Sequence, residues 1–369
     1  MNPTFTLGRI AGIRIGLNWS WLFAFALIGW MLAASAFPAQ SPGHSKAAYA
    51  AMAVAATIVF FGSILLHELG HALRARKEGV EIEGITLWLF GGVARFKTDF
   101  PSAGAELRIA LAGPFVTLVL AAAFTGGALA VGPRTAIGGV AAWLGYINAI
   151  LLVFNLMPAF PLDGGRVLRA LLWRRSGNLA TATARASGIG QMLAYGLIAI
   201  GVIAALTVNI VSGVWLVFLG WFLSAAAGAE TQHSILASRL GGLRVRDVMV
   251  SQPVTVDADW TLAEFVDAYA TRYHYATYPV VDGGYVVGLL PLAAVLRAPH
   301  AAWPTVRVRE CMLPLSEAPS VGEDDRLIDA LTVLDPARLG RALVRRGNLV
   351  VGLLSITDVG PILKARTRS

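Results

Sequence analysis

The chain has 369 residues, 56% of them hydrophobic and 14% charged, a composition that excludes an ordinary soluble enzyme and indicates a membrane protein. Residues 1–239 hold 16 Lys/Arg against 8 Asp/Glu, whereas residues 240–369 hold 14 of each, so the whole +8 excess lies in the apolar part. That placement argues for positive-inside membrane topology and against nucleic-acid binding, and the single cysteine, Cys311, excludes an intrachain disulfide.

Six stretches are apolar over about 20 residues, the length that crosses a bilayer. They run 19–37, 48–72, 107–131, 136–156, 189–208 and 210–227, and the first reads as a retained span, not a cleaved signal. Arg9 and Arg14 precede the first span, Arg74, Arg76 and Lys77 follow the second, and Arg166, Arg169, Arg174, Arg175 and Arg185 lie between the fourth and fifth. The alternate loops carry Lys46 and Arg134. The expected topology is multi-pass in the cell membrane, with both termini and the polar tail cytoplasmic.

Within the second stretch stands His67-Glu68-Leu69-Gly70-His71. Histidines four apart project from one helical face and can share one zinc, leaving the adjacent glutamate to activate water. Two incidental helix histidines are the bland alternative. Membrane depth weakens it, because burying Glu and His in hydrocarbon costs several kcal/mol. Next, residues 80–96 (VEIEGITLWLFGGVARF) are rich in β-formers and broken by Gly91-Gly92, so a strand or hairpin is expected beside the membrane. A structural hairpin and a substrate-docking strand are equally open readings of it.

Two histidines leave a catalytic zinc site one ligand short. A third candidate stands at the end of the fourth span, in Asn155-Leu-Met-Pro158-Ala-Phe-Pro161-Leu-Asp163-Gly164-Gly165-Arg166. The prolines cannot continue a regular helix, so Asp163 is expected on irregular backbone from which it reaches across to another helix. Gly164 and Gly165 permit close backbone approach. A simple helix N-cap is the alternative role for Asp163.

From about residue 243 the texture becomes soluble α/β, with an internal repeat. Val245-Arg-Asp-Val-Met249 recurs as Val308-Arg-Glu-Cys-Met312, and Val286-Val-Gly-Leu-Leu290 as Val350-Val-Gly-Leu-Leu354. Each copy reads as a short strand, a helix, two strands and a closing helix. His44, His233, His274 and His300 have no ligand-spaced partner and are expected to be surface or packing residues. The arginines 166–175 are expected to serve topology and phospholipid headgroups.

HELGH with the segment that follows it, AGP at Ala112–Pro114 and FNLMPAFPLDGGRVLRAL at 154–171 together resemble the site-2 protease family of intramembrane zinc metalloproteases. The repeat resembles a tandem pair of cystathionine-β-synthase-type (CBS) domains, about 244–300 and 306–365. The resemblance implies a multi-domain chain: residues 1–239 as a six-span helical membrane metalloprotease domain with a short membrane-associated β segment, and residues 240–369 as a soluble α/β CBS pair. It implies one zinc per chain on His67, His71 and Asp163, with Glu68 as general base. Asn155 and Asn148 would steady the substrate carbonyl or oxyanion. The family's second polar residue after AGP is Thr117 here.

The expected substrate is a membrane-spanning protein cut near its cytoplasmic end. It must be unwound before attack, and pairing with an extended strand carrying Ile85, Leu87 and Leu89, followed by Gly91 and Gly92, would hold it. CBS pairs of this type imply adenine nucleotide (ATP, ADP or AMP) as a ligand and a homodimer through the tail. The second repeat carries the matching Gly352-Leu-Leu-Ser355-Ile-Thr-Asp358, so Ser355 and Asp358 are the ribose candidates. The first repeat has Pro291 and Ala294 there, and a non-binding, dimerising pair weighs equally. Two rival classes are a nucleotide-responsive transporter with an incidental metal site and a catalytically inactive scaffold. The intact Glu68 beside the histidines favours the protease.

Overall fold

The computed structural model describes residues 3–89, 91–96, 100–273, 275–334 and 339–365, which fall into two compact units, Met1–His233 and Ser234–Ser369. Phe90 and His274 lie outside the described residues, as does the side chain of His233.

The first unit opens with a hairpin, β1 (Phe5–Ile10) and β2 (Ile13–Leu17), turned at Ala11 and Gly12, both with positive φ. Positive φ at both central residues is the two-residue turn that matches strand twist. Among the described residues, six helices follow that are long and apolar enough to cross a membrane: Ser20–Gln40, Lys46–Lys77, Ala103–Val131, Ala136–Asn155, Leu179–Thr207 and Ile210–Gln232. The first comprises α1 (Ser20–Met31) and α2 (Phe37–Gln40), joined by a π-helical turn at Leu32–Ala36. The others are α3 (Lys46–Lys77), α4 (Ala103–Val131), α5 (Ala136–Asn155), α7 (Leu179–Thr207) and α8 (Ile210–Leu240). The expected spans are all present. Helices α3, α7 and α8 outrun their apolar stretches, because polar residues at their ends keep helical hydrogen bonds without raising hydropathy.

Two features depart from expectation. Residues 80–96 do form a hairpin, β3 (Ile82–Trp88) and β4 (Gly91–Phe96), but β2 pairs in parallel with β3, so the sheet has four strands in the order β1-β2-β3-β4. Ile15 lies opposite Ile85 and Leu17 opposite Leu87, while Ala94 and Gly92 flank the same residues on the other side. The backbone of Ile85 and Leu87 is therefore paired on both edges, and the amide of Leu89 donates to Ser20 Oγ. Ile85 and Leu87 thus have no backbone edge left for a substrate strand, and among the described residues the edge strands of this sheet are β1 and β4. The cause is the N-terminal hairpin, whose Ile13 and Ile15 bury against Ala72 and Ile85.

The second departure concerns Asp163. The chain unwinds over 156–162 as the prolines require, but Asp163 then opens a helix, α6 (Asp163–Ser176). Neither expectation holds as stated: the N-cap is Leu162, and Asp163 is the first helical residue instead of lying on irregular backbone, yet it still reaches the histidines because the unwound turn places the start of α6 beside α3.

The second unit holds two sheets, β5 (Val256–Asp257), β6 (Thr277–Asp282), β7 (Tyr285–Pro291) and β8 (Leu313–Pro314) in one, β9 (Ser320–Gly322), β10 (Arg341–Arg346) and β11 (Leu349–Ser355) in the other. In each, a short first strand pairs in parallel with the next, which pairs antiparallel with its successor. The register irregularity at Val280–Val281 recurs at Val344–Arg345, so the sequence repeat is a structural one. Two cores form, around Leu262, Phe265, Tyr278 and Leu290 and around Leu327, Val344 and Leu354, and the leading segment of each copy packs into the other's core, Val308 and Met312 into the first and Val245 and Met249 into the second. A third cluster, with Leu289, Leu343 and Leu353, joins the two copies.

Candidate functional site

Helix α3 places His67 and His71 on one face, one turn apart. Helix α4 packs close against this face because both partners carry glycine at the crossing. A Cβ on Gly70 would lie 3.0 Å from the carbonyl oxygen of Ala112. A Cβ on Gly113 would lie 2.7 Å from His67 Nε2 and nearer still to His71 Nε2, in the space between the two imidazoles. The turn at 156–162 is equally tight. Side chains at Gly164 or Gly165 would strike the backbone of Leu156, Met157, Ala159 and Phe160, so glycine is what lets α6 begin where it does.

Three side chains thereby converge. His67 Nε2 and His71 Nε2 are 3.1 Å apart, and Asp163 Oδ2 lies 3.1 Å from the first and 3.2 Å from the second. Ligands about 2.05 Å from a tetrahedral zinc are about 3.3 Å apart, so this N, N, O set fits the ion with almost no adjustment. The outer contacts fit too. His71 Nδ1 lies 2.7 Å from the carbonyl oxygen of Ile109, an acceptor, so Nδ1 carries the proton and the Nε2 lone pair faces the cluster. His67 Nδ1 lies 2.8 Å from Thr117 Oγ1, and that hydroxyl donates in turn to the Gly113 carbonyl. Both histidines are buried, Asp163 nearly so. Among the described residues, no other group of His, Cys, Asp or Glu converges in this way.

Two cavities flank the cluster. One, about 450 Å³, is lined by His67, Glu68, Asn148, Asn155, Asp163 and the Gly91–Val93 end of β4. The other, about 200 Å³, is lined by Glu68, His71, Asp163, Arg166 and the Gly92–Phe96 part of β4. Glu68 faces both. Glycine at position 92 leaves room for it, since a Cβ there would strike Glu68 Cγ. Asn148 is buried, and its amide donates to the Leu144 carbonyl at 2.8 Å. All the residues expected at the zinc are thus brought together; of the expected docking residues that are described, Gly91 and Gly92 border the cavities, joined by Trp88 of the same segment, whereas Ile85, Leu87 and Leu89 do not.

The Peptidase family M50 model matches residues 55–135 and 132–199, and the CBS domain model matches 245–301. The chain is 37% identical to Rip3 of Mycobacterium tuberculosis over 98% of its own length and 93% of the relative's. The chain belongs to peptidase family M50. It is also 32% identical to the zinc metalloprotease MJ0392 of Methanocaldococcus jannaschii, over 97% of this chain and 96% of that one. Among solved structures, a site-2 protease from Methanocaldococcus jannaschii aligns with 62% of this chain and 94% of that one, at 30% identity and a TM-score of 0.42. This M50 chain is a zinc metalloprotease with six apolar helices followed by a CBS-type α/β domain.

The sequence shows Thr117 as the polar residue after AGP but not its role as acceptor for His67, and it gives no sign of the Ile109 carbonyl on His71 or of Gly113 against both imidazoles. Arg166 and Arg169 are expected to serve topology and lipid headgroups. Instead, Arg166 lies over the rings of Phe96 and Phe100 at 5.9 and 5.8 Å, and Arg169 is buried in an ion cluster. Only one signal pointed there: a solitary acid, Glu106, in an apolar helix, which calls for a buried cation.

Proposed function

We propose that this protease cuts a membrane-spanning protein within the bilayer, near its cytoplasmic side. The observation that carries the reading is the 450 Å³ cavity at the depth of an apolar helix bundle, bordered at once by Glu68, the metal donors and the free-edged strand β4. The arginine and lysine clusters beyond the ends of the second and fourth spans support a cytoplasmic position for this end of the bundle. A helical substrate hides its carbonyls in intrahelical bonds. An unwound segment alongside β4 would recover backbone bonds there and lie next to Glu68. His67, His71 and Asp163 would hold the zinc. When bound, the ion supplies Lewis-acid polarisation of the scissile carbonyl and acidifies a water. Glu68 takes the proton from the attacking water and returns it to the leaving amine. Asn148, which has one amide N–H committed to Leu144, has a second to offer a substrate carbonyl, and Asn155 lines the same cavity.

The test pairs zinc analysis with cleavage of a single-span substrate by wild type and Glu68→Gln. Zinc retained and cleavage lost in the variant is the expected result. Equal cleavage would remove Glu68 from the mechanism. Absence of bound metal would remove the mechanism itself.

Adenine nucleotide binding in the tail has its own observation. A cavity of about 160 Å³ gathers Tyr275, Thr277, Arg341, Ser355, Thr357 and Asp358. The carboxylate of Asp358 accepts from the Ser355 amide at 3.0 Å, and the Ser355 and Thr357 hydroxyls are 2.8 Å apart. The cavity is small beside the about 300–1,000 Å³ usual for small-molecule sites, so it would take the nucleoside with the phosphates outside, near Arg341. Calorimetry of the full chain with AMP, ADP and ATP tests this. No heat at millimolar nucleotide would leave the tail a dimerising role.

A further inference from the structure

We infer that Arg169 is a positioning residue for the metal ligand Asp163, acting through a buried ion cluster that ties together the helices carrying the site. Arg169 stands six residues after Asp163 on α6. Its Nε and Nη2 donate to Glu106 Oε1 on α4 at 2.7 and 2.5 Å, and its Nη1 donates to Glu230 Oε1 on α8 at 2.5 Å. The guanidinium carbon also lies 5.2 Å from the ring centre of Phe160, in the turn that delivers Asp163. Arg169 therefore holds both the helix that Asp163 begins and the turn before it.

The other end of the cluster is as close to the metal donors. Glu106 is fully buried and stands three residues before Ile109, whose carbonyl accepts from His71. Asp163, Arg169, Glu106, Ile109 and His71 thus form a closed circuit through three helices, α6, α4 and α3. A helix shift that broke the ion pair would also pull Asp163 away from the histidines.

Energetics favour a positional role over a stabilising one. A buried Arg–Glu pair adds little over well-packed apolar residues of the same size, because desolvation consumes the Coulombic gain. This cluster is worse placed still, since Glu106 Oε2 is buried with no hydrogen-bond partner. What the cluster supplies, and apolar packing lacks, is direction: one edge of the planar guanidinium meets Glu106 on α4 and its Nη1 meets Glu230 on α8, which sets how α6 lies between them.

The inference rests on His67, His71 and Asp163 being the zinc ligands. Its test uses the full chain in detergent, with three readouts: zinc affinity by chelator competition, the visible absorption bands of the cobalt(II)-substituted protein, and the thermal midpoint. Two variants are compared, Arg169→Lys and the double replacement Glu106→Leu with Arg169→Met. Lysine keeps the charge but cannot serve both carboxylates in a fork. Both variants are expected to bind zinc about 10- to 100-fold more weakly and to shift the cobalt bands, as losses outside the ligand set do. The double variant is expected to keep its thermal midpoint. Unchanged zinc affinity and cobalt bands in both variants, whatever their midpoints, would overturn the positioning role. A wild type that binds no metal would instead fail at the first measurement, and would fault the ligand assignment itself.

Discussion

Replacing Gly113 by alanine drives a methyl group into the two zinc-facing imidazole nitrogens. The added carbon would lie 2.7 Å from His67 Nε2, 2.6 Å from His71 Cε1, and closer yet to His71 Nε2. Contacts that short force the nitrogens off the positions that hold an ion at about 2.05 Å, unless α4 retreats from α3. Overpacking of this kind costs about 1–3 kcal/mol. If metal binding must bear that cost, zinc affinity falls about 5- to 150-fold, at 1.4 kcal/mol per decade. Chelator competition on purified Gly113→Ala protein measures it directly, and cleavage should fall with metal occupancy. Gly126→Ala and Gly127→Ala are the matched controls, on the same helix but with nothing within 4 Å of the added carbon. Both should keep wild-type zinc affinity. Gly113→Ala protein that binds zinc as tightly as wild type would refute the claim that this α-carbon faces the metal.

Thr117→Val removes the acceptor for His67 Nδ1 and should weaken zinc binding or kcat/KM about 10- to 100-fold, whereas Thr117→Ser should spare both; a valine variant equal to wild type would dismiss the contact. Proline introduced at Val93 or at Ala94 should lower kcat/KM more where the lost N–H faces the outer edge of β4, with zinc content kept. Equal activity of the two variants would rule out strand docking there. Glu78, at the end of α3, accepts from Arg108 Nε at 2.8 Å and from Arg74 Nη2 at 2.6 Å, and its pKa is pulled from 4.5 to about 2, chiefly by Arg108. A carboxylate held below its unfolded value stabilises the fold fully above pH 4.5 and loses that contribution as pH falls toward 2. Thermal midpoints of wild type should therefore drop more steeply over that window than those of Glu78→Gln; parallel curves would show the triad to be inert. In the tail, Asp358→Ala should abolish any adenine-nucleotide heat seen with wild type, and undiminished heat would move the site elsewhere.

The docking strand shows where sequence reading stops. Residues 80–96 announced a hairpin through β-branched residues and paired glycines, but which of its strands keeps a free edge depended on another hairpin, more than sixty residues earlier in the chain. Residues 5–17 carry only short apolar alternation, easily lost beside the first span. The site was more legible than the sheet. The two histidines are fixed by local helical periodicity, and Asp163 stands out because Pro158 and Pro161 end the fourth span just before it.

By itself, then, the sequence determined what is local or compositional. Runs of apolar residues gave the six helices, i, i+4 spacing gave the zinc dyad with its base, and self-similarity at 63–64 residues gave the doubled tail. Tertiary structure alone decided what depends on approach between distant segments. It closed α4 onto α3 through Gly70 and Gly113, aimed the histidines with Thr117 and Ile109, buried Arg169 instead of offering it to lipid, and left β4, not β3, with an open edge. The physical reason is common to all four. Each is a contact between backbone or side-chain atoms far apart in the chain, set by how closely two elements can pack, and no residue carries that distance in its identity alone.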